Sequence, residues 1–548
     1  MIKQIIINAI KKAIGESLGV LPMVEVEIPK DEAFGDAATT VAMALAPVLK
    51  KPPRRIAEEL LPKIHAAGGP FERIEVAGPG FINFTFKQDY WYRSLGEILS
   101  NTEDVLRTDI GKGKKVQVEF VSANPTGPLH IGHGRGAAVG IALSNLLERA
   151  GYKVQKEYYI NDAGRQVRLF GLSLYAKYQQ RLGNEIPFPE DGYKGGYIDE
   201  LCDEFIDRFG NKYLDVPSTE CVDFFSEWAY QRMLREIEKD LGDFGVVFDR
   251  WQSEKAIYSM GKVDDAIAEL KERGFIYEKE GALWFRSTAF GDDKDRVVRK
   301  TDGEYTYFAS DIAYHREKLE RGFDSIINIW GADHHGYVQR LEAVIEAFGF
   351  PRKRMKVVLV QMVSLLRHGQ PVQMSKRAGE FITLREVMDE VGTDTSKFIF
   401  LTRRADSHLD FDIEVAKERS SENPVYYVQY AHARISSIFE QAEQRGINTS
   451  NLAEPQLSLL SLPDEIRIIK KLCHYPMVFE LSASSLEPHR ITYYLQELSG
   501  LFHPYYNRHR VISEDINLTV ARLFLCKALH TVLKEGLGVL GVHAPQKM

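Results

Sequence analysis

The sequence is poor in cysteine, and this limits the kinds of cross-linked or metal-bound fold that it could adopt. Only four cysteines occur in 548 residues, and none of them belongs to a CxxC pair. A disulfide framework or a zinc ribbon needs closely spaced cysteines. Neither is expected, and the composition indicates a reducing compartment. The four are Cys202, Cys221, Cys473 and Cys526.

The chain also lacks an excess of positive charge. Its formal net charge is −7, with 44% hydrophobic and 27% charged residues, which is an ordinary globular composition. A protein that binds nucleic acid through its overall charge would be basic. Any contact with a polyanion is therefore expected to come from a local patch.

Long hydrophobic runs are scarce as well. Residues 1–19 read as an amphipathic helix interrupted by Asn8, Lys11 and Lys12, not as the apolar centre of a signal peptide. No apolar run is expected to be long enough to cross a bilayer. We therefore expect a cytoplasmic protein with no membrane partner.

The length of 548 residues is too great for one hydrophobic core. We expect an α/β protein, with a Rossmann-like parallel-sheet catalytic domain between an N-terminal α/β module and a C-terminal all-α helix bundle. The expected boundaries are 1–108, 109–400 and 401–548. Residues from about 166 to 260 read as a helical insertion without chemistry of its own. Beyond Phe398 the chain reads as helical, and locally a helix is expected over Ala37–Leu49 and a strand over Tyr305–Phe308.

The stretch Val116–Ala150 contains a strand, a turn and a long apolar helix. Apolar and polar residues alternate from Val116 to Phe120, which is the pattern of a strand. The run Asn124–Pro128 must turn, and a helix is expected from about Gly134 until Gly151 stops it. A strand that leads into a helix N-terminus presents backbone N–H groups to phosphate. The stretch therefore predicts a nucleotide site.

Two histidines lie at this junction, separated by a small residue. His130 and His133 could each donate a hydrogen bond to a triphosphate, and Gly132 would let a nucleotide approach the backbone. The alternative is a pair of capping histidines in an ordinary loop, because a four-letter HxGH match is weak on its own. The strand–turn–helix context favours the nucleotide site.

Two later segments also follow apolar strands. Ile326–Trp330 leads into Gly331–Gly336, and Val357–Val360 precedes a loop, Gln373–Arg377, whose cations could reach a phosphate. Taken alone, the Ser-Lys-Arg string is by default a solvated loop. The acidic and histidine residues of the first segment suggest a metal, but no further ligand is spaced nearby. A ribose or pyrophosphate contact is the preferred interpretation there.

The order of these motifs resembles class I aminoacyl-tRNA synthetases and, along nearly the whole chain, the arginyl-tRNA synthetase family. The resemblance rests on FGD at Phe34, on the residues from Glu119 to Gly136, and on YYINDAGRQ. It also rests on segments nearer the C-terminus: FGDDKDRVV at Phe290–Val298, GADHHGY at Gly331–Tyr337, ENPVYYVQYAHARI at Glu422–Ile435 and the terminal LGVHAP.

The resemblance implies that arginine carboxylate attacks the α-phosphate of ATP with release of pyrophosphate, and that the arginyl group of the adenylate is then transferred to tRNA(Arg) with release of AMP. ATP, L-arginine and tRNA(Arg) would be the partners, with Mg²⁺ as the counter-ion of the nucleotide, no dedicated metal site, and a monomeric enzyme. The catalytic residues would be His130, His133 and Lys376. The ATP-binding residues would be His130, Gly132, His133, Gly331, Asp333, His334, Met362, Val363, Met374, Ser375 and Lys376.

By the same resemblance, a pocket for arginine would contain carboxylate and hydroxyl acceptors suited to a guanidinium. From the residues alone, a helix N-cap is the favoured interpretation of Asp311 and a core aromatic is that of Tyr307; only the resemblance favours the pocket. The N-terminal module would contact the outer corner of the tRNA and the C-terminal part its anticodon. The arginine-binding residues would be Glu119, Ser122, Asn124, Tyr307, Asp311 and Gln339. The tRNA-binding residues would be Tyr427, Ala431, Tyr506 and Met548.

One departure from the family pattern concerns lysine. The second signature of the family often begins with lysine, and here that position is Gln373; no lysine lies between Asn124 and His130 either. Compensation of the charge on the leaving pyrophosphate is therefore expected to depend on Lys376, with Arg377 or Lys294 as further candidates.

Three alternatives remain open from the sequence. A small-molecule nucleotidylyltransferase shares HxGH chemistry but needs no long helical domain after the Ser-Lys loop. A catalytically silent tRNA-binding relative would be expected to have lost His130, His133 or Lys376, and all three are present. A class I synthetase for another amino acid is the most serious alternative, because the pocket residues alone do not specify a side chain.

Overall fold

A computed structural model of the chain describes residues 2–15, 24–372, 382–449 and 455–548. The first part is an α/β module in which the N-terminal helix packs against the third. Its elements in chain order are α1 (Ile2–Ile14), β1 (Val26–Glu27), β2 (Ala37–Thr39), α2 (Val41–Leu49), α3 (Pro53–Ala67), β3 (Phe71–Ala77) and β4 (Phe81–Phe86). The strands form an antiparallel sheet in the order β1-β2-β4-β3.

The segment Ala37–Thr39 is a strand, so the expected helix over Ala37–Leu49 is wrong in its first turn. It is buried between β1 and β4, with Ala37 opposite Phe84. Alanine favours helix by its own propensity, but pairing on both sides satisfies the backbone groups of this strand and decides its conformation. The helix begins only at Val41.

From Gln88 to Asp412 the chain contains strands and helices in the manner of a Rossmann-like domain. The elements in chain order are α4 (Gln88–Ser100), α5 (Thr102–Leu106), β5 (Lys115–Glu119), α6 (Ile131–Arg149), β6 (Lys153–Ile160), α7 (Arg165–Arg181), α8 (Gly196–Phe209), α9 (Ser218–Asp243), β7 (Arg250–Ser253), α10 (Glu254–Ser259), α11 (Lys262–Glu272), β8 (Ile276–Lys279), β9 (Ala282–Phe285), β10 (Arg296–Arg299), α12 (Tyr307–Glu320), β11 (Ser325–Gly331), α13 (Val338–Ala347), β12 (Met355–Val360), β13 (Val363–Arg367), β14 (Gln370–Pro371), α14 (Leu384–Val391), α15 (Thr393–Phe400) and β15 (Leu409–Asp412).

Five parallel strands form the central sheet, in the order β12-β11-β5-β6-β7. The chain proceeds from β5 to β6 and β7 on one side, whereas β11 and β12 lie on the other side. The strand order therefore reverses between β5 and β11. In open sheets of this kind, ligands bind at the carboxyl ends of the strands beside such a reversal.

The predicted strand and helix of Val116–Ala150 are confirmed as β5 and α6, although the helix begins three residues earlier than expected, at Ile131. Its close approach to the sheet requires Gly140, because a Cβ there would lie 2.1 Å from the ring of Phe120. Gly151 has φ +83° and ends the helix as expected.

The segment expected to be a helical insertion contains three long helices, α7, α8 and α9, but it also contributes to the sheet. Arg250–Ser253 forms β7, which pairs parallel to β6, with Tyr158 opposite Trp251. The sequence signal was weak because this strand is short and carries polar residues at both ends. The expected insertion therefore does not extend to residue 260 as one helical unit.

The expected strand over Tyr305–Phe308 is wrong as well. Only Tyr305 forms an isolated bridge, to Arg299, and helix α12 begins at Tyr307. Aromatic and β-branched residues favour strands on average, but here Phe308 packs into the core from the first turn of a helix.

The chain beyond Phe398 is not helical throughout. Leu409–Asp412 forms β15, which pairs parallel to β13 with Val363 opposite Leu409, while β14 pairs with the other edge of β13. The remaining described elements are helices: α16 (Ile413–Lys417), α17 (Pro424–Gln444), α18 (Pro463–Ser485), α19 (His489–Arg508) and α20 (Ile516–Val539).

Helix α20 has the length and apolar composition that a membrane-crossing helix would need, so the expectation that no such run exists is wrong by that criterion. Half of its apolar window is buried inside the protein. Arg522 on this helix donates to Glu465 of α18 at 2.9 Å, and α20 packs against α17 and α19. These contacts are those of the core helix of a bundle.

Candidate active site

The two histidines of the HxGH motif form the N-terminal cap of α6. The amide N–H of Gly132 donates to Nδ1 of His130 at 3.1 Å, and the amide N–H of His130 donates to Nδ1 of His133 at 3.3 Å. The rings stack with their centroids 3.6 Å apart. The capping alternative is therefore correct as geometry, but it does not exclude the nucleotide site.

The capping bonds also determine which ring nitrogen carries the proton. Because Nδ1 of His130 and of His133 each accepts a hydrogen bond, each neutral ring carries its hydrogen on Nε2. Nε2–H is a donor, which is the group that a phosphate oxygen needs. The cap thus orients two donors at the positive end of a helix dipole.

The loop that carries Met374, Ser375 and Lys376 lies outside the described residues, but both of its anchors are described. On one side Val372 donates its amide to Leu365 at 2.9 Å. On the other side Thr383 forms an antiparallel bridge to His130, and Leu384 donates its amide to Leu129 at 2.7 Å. The chain therefore returns from this loop directly beside the first histidine.

The other predicted ATP-binding residues follow the carboxyl ends of β11 and β12. Gly331 ends β11, and Asp333 and His334 lie exposed in the short 3-10 turn Ala332–Tyr337. Met362 is 73% exposed, whereas Val363 is buried at the start of β13. The neighbouring Gln361 is hydrogen-bonded to helix α6, which brings this segment to the same end of the sheet as the histidines.

Glu119 ends β5 and is buried in a charged and polar cluster. Lys318 of α12, itself fully buried, donates to Glu119 and also to Asn328 of β11 at 2.9 Å. The hydroxyl of Ser122 donates to the other oxygen of Glu119 at 3.0 Å. A buried carboxylate is stable only when it is paired in this way.

The backbone after β5 adopts a conformation that non-glycine residues rarely take. Val121 has φ +67° and Ser122 has φ +39°. Such a conformation is unfavourable for a β-branched residue and is typically retained where it positions a functional group. Here it turns Ser122 back so that its hydroxyl oxygen also accepts the amide N–H of Tyr159 at 3.1 Å.

Asp311 lies on the face of α12 that covers the polar end of the sheet. Its carboxylate accepts the hydroxyl hydrogen of Tyr337. Burial, together with the nearby carboxylates Glu254 and Glu119, raises the pKa of Asp311 to about 7, although Tyr337 and Lys318 oppose the shift. Asp311 is not a helix N-cap, because Thr306 occupies that position.

Tyr307 is 66% exposed, so it is not a core aromatic residue. It lies over the turn after β6, since a Cβ at Gly164 would be 3.5 Å from the Tyr307 hydroxyl. The same turn holds Asn124, whose side-chain oxygen accepts from Asn161 at 2.7 Å. Gln339 is exposed on the first turn of α13.

Two buried side chains near Asp311, those of Glu254 and Tyr159, were not predicted from the sequence. Glu254 belongs to the segment that was expected to carry no chemistry. Glu254 is buried and accepts from Ser310 at 2.9 Å through Oε1. The buried Tyr159 lies close to Glu254. Burial raises the pKa of Glu254. Lone polar residues in an acidic helical segment give no sequence signal of this kind.

Family models match the chain in three consecutive parts. The N-terminal domain of arginyl tRNA synthetase matches residues 1–86. The catalytic domain of class I (R) tRNA synthetases matches residues 94–410, which is more than half of the chain. The DALR anticodon binding domain matches residues 428–548.

The chain belongs to the arginyl-tRNA synthetase family. It is therefore an enzyme, an arginine–tRNA ligase of class I. The resemblance described for its motifs is confirmed, and so is the α/β fold with a parallel sheet and a helical C-terminal part.

Individual relatives agree with this membership. The chain is 53% identical over 531 residues to an arginine–tRNA ligase of Geobacter sp. (strain M21), covering 97% of this chain and 96% of that protein. It is 50% identical over 530 residues to one from Syntrophotalea carbinolica, with the same coverage of 97% and 96%. The fold is similar to the arginyl-tRNA synthetase of Thermus thermophilus, with a TM-score of 0.79 over 100% of both chains at 21% identity.

Of the tRNA-binding residues expected from this family, three have side-chain surface available. Tyr427 is partly exposed and its ring contacts His503. The guanidinium of Arg434 lies 4.8 Å from the centre of the Tyr506 ring. Met548 is 55% exposed. Ala431 is fully buried in α17, so its side chain has no surface with which to contact a tRNA. The side chain of Ala431 faces the bundle core.

Proposed function

We propose that arginine binds at the carboxyl ends of β5 and β11 with its guanidinium against Asp311. The observation that supports this most directly is that the half-buried carboxylate of Asp311 lies near the carboxylates of Glu119 and Glu254 and forms no ion pair with any described residue. A guanidinium supplies five N–H donors and a permanent charge. Glu254 and Tyr159, both buried, provide further polar groups near Asp311.

The other end of arginine is assigned to the start of the pocket. Glu119, with Ser122 bonded to it, would hold the α-amino group together with Asn124. Tyr307 and Gln339, both exposed at its rim, would close over the ligand. This arrangement would leave the α-carboxylate to face the nucleotide.

ATP would lie across the N-terminus of α6, with its phosphates against His130, Gly132 and His133. Gly331, Asp333, His334, Met362 and Val363 would bind the remainder of the nucleotide, and Met374, Ser375 and Lys376 would contribute from the loop anchored at Thr383. Arginine carboxylate attacks the α-phosphate, pyrophosphate leaves, and the adenylate then reacts with a ribose hydroxyl of tRNA(Arg). The substrates supply both nucleophiles, so the enzyme acts by positioning and by stabilising charge.

Mg²⁺ would accompany ATP as a counter-ion bound to phosphate oxygens and water. Within residues 2–15, 24–372, 382–449 and 455–548, no three His, Cys, Asp or Glu side chains converge to form a metal site of their own. Divalent magnesium in nucleotide sites commonly keeps several water ligands and bridges phosphates. The enzyme would act as a monomer in the cytoplasm.

The three matched family models support a separate role for each of three domains. The module up to residue 108 would contact the outer corner of tRNA(Arg), residues 109–400 would carry the chemistry, and residues 401–548 would bind the anticodon. Tyr427 and Tyr506, which are partly exposed, would stack on unpaired bases, because aromatic rings stack on bases irrespective of sequence. Met548 would make an apolar contact beside them.

Arginine binding is expected to strengthen as the pH rises through about 7. The pKa of Asp311 is about 7 in the free protein, so at pH 6 most molecules carry a neutral carboxyl that must lose a proton before it can pair with guanidinium. Affinity at pH 6 should be about tenfold lower than at pH 8. Titration calorimetry in buffers of different ionisation enthalpy measures both the affinity and the protons released.

Citrulline is the matched control for this titration, because it has nearly the same shape as arginine but no charge. Its binding should be far weaker and independent of pH between 6 and 8. Equal affinities for the two ligands, or an arginine affinity that does not change over this range, would contradict the assignment of Asp311.

Replacing Lys376 by alanine should lower the rate of adenylate formation by roughly tenfold to a hundredfold, the effect of losing one charge-assisted contact. The arginine dissociation constant should change less than threefold, because Lys376 acts on the leaving pyrophosphate. Single-turnover kinetics with ATP and arginine separates the two effects. A loss confined to arginine binding would overturn this role.

A further inference from the structure

Arg135 is a buried cation on α6, just beyond His133. Its side chain is fully buried, and it donates three hydrogen bonds to main-chain carbonyl groups only. Nη1 donates to Gln361 at 2.9 Å and to Ser407 at 2.8 Å, and Nη2 donates to Arg404 at 2.8 Å.

This environment is an unusual one for a charge. Buried arginines are generally paired with a carboxylate, but the neighbouring acidic side chain of Asp406 is instead bonded to the side chain of Arg404 at 2.9 Å. Burial lowers the pKa of Arg135 to about 10, so it stays charged near neutral pH, and no described residue is hydrogen-bonded to its Nε. A hydrophobic residue of similar volume would fill the space without this desolvation cost.

The three acceptors belong to segments that are distant in sequence. Gln361 follows β12 and precedes Met362 and Val363, two of the residues assigned to ATP. Arg404 and Ser407 lie in the turn between α15 and β15, and the amide of Gln361 donates to Ala405 of the same turn at 2.8 Å. Arg135 therefore links α6, which carries the two histidines, to the Gln361–Val363 segment on the other side of the proposed nucleotide site.

We propose that Arg135 is a positioning residue for ATP: it holds the N-terminus of α6 at a fixed distance from the Gln361–Val363 segment, so that triphosphate and base are bound together. Three donors in a planar fork determine orientation as well as distance, which a single contact or an apolar side chain would not do. The inference rests on the ATP site proposed above.

The test compares Arg135→Gln and Arg135→Lys with the intact enzyme in ATP–pyrophosphate exchange. Arg135→Gln should raise the ATP KM and lower kcat, together reducing kcat/KM for ATP at least tenfold, while the arginine KM changes less than twofold. Arg135→Lys, which keeps a cation at this position, should recover part of that loss. A purely structural role would lower the melting temperature without changing the constants of the folded enzyme.

Lys397→Met provides a control of matched chemistry. Lys397 on α15 is also a buried cation that donates to a main-chain carbonyl, that of Gly541 at 2.8 Å, but its acceptor is in the C-terminal segment. Lys397→Met should change stability and leave the ATP KM unchanged. An unchanged kcat/KM for ATP in both Arg135 variants, or an arginine KM that rises as much as the ATP KM, would overturn the proposal. If the ATP constants were also insensitive to substitution of His130, the proposed site itself would be wrong.

Discussion

Asp311→Asn should weaken arginine binding by about 100- to 1,000-fold and leave the ATP KM within about twofold of the unaltered enzyme. Removing one partner of a desolvated charge pair costs about 2–5 kcal/mol, because the other charge is left without compensation. The amide would also direct N–H donors towards the guanidinium donors. The arginine dissociation constant from calorimetry and the two KM values from ATP–pyrophosphate exchange measure this effect.

Two controls separate lost recognition from lost folding. Asp311 lies near Glu254 and Glu119, which disfavour its ionised form, so Asp311→Asn removes a repulsion and should not lower the melting temperature. Tyr337→Phe removes the hydroxyl that donates a hydrogen bond to Asp311 but keeps the Asp311 carboxylate. This variant should weaken arginine binding by no more than about tenfold. An Asp311→Asn enzyme with a nearly normal arginine KM would exclude the carboxylate as the guanidinium partner.

His130→Asn should lower the rate of adenylate formation by about 100- to 1,000-fold, with arginine affinity little changed. Loss of one preorganised donor to a developing charge typically has this effect. In the native enzyme the amide N–H of Gly132 donates a hydrogen bond to His130. Asparagine is a good N-cap residue, so its side-chain oxygen can accept the same hydrogen bond. The substitution thus removes the Nε2–H donor while keeping the cap.

His130→Ala is the matched comparison, because it removes both the donor and the cap. It should lose about 1 kcal/mol of stability that the asparagine variant keeps. Single-turnover rates together with thermal unfolding of both variants distinguish the two roles. A near-normal rate for His130→Asn would mean that His130 serves only as a helix cap.

The strand–helix junction could be predicted from sequence because its signals are local. Alternation in β5 and the positive-φ glycine at Gly151 each depend on neighbouring residues only. The sequence predicts a start of α6 that is three residues too late, because the cap is formed by histidines, which are not among the common N-cap residues. Such a cap can be recognised only when the relative positions of His130 and His133 are known.

The charged interior of the pocket could not be predicted, because it depends on packing between distant elements. Lys318 reads as a surface lysine of α12, but register in the sheet places Asn328 opposite Glu119, and Lys318 bonds to both. Glu254 follows a strand that was itself missed, β7. Asp311 and Tyr307 were predicted from the family resemblance. The buried groups Glu254 and Lys318 could be identified only from the three-dimensional structure.

Local propensity failed where tertiary pairing was stronger. Ala37–Thr39 became a strand because β1 and β4 flank it, and Tyr307 began a helix although its neighbours favour strands. Ala431 was assigned to the tRNA surface by resemblance alone, but the helical period of α17 places it in the core. In each case the deciding contacts come from residues far away in sequence.

The specificity for arginine can be measured by ATP–pyrophosphate exchange with each of the twenty amino acids, in the presence and absence of tRNA(Arg). Exchange is expected with arginine under at least one of the two conditions and should be at least 1,000-fold lower with every other amino acid, since none of the others presents a guanidinium to Asp311. Exchange supported by another amino acid, with none supported by arginine, would contradict this specificity.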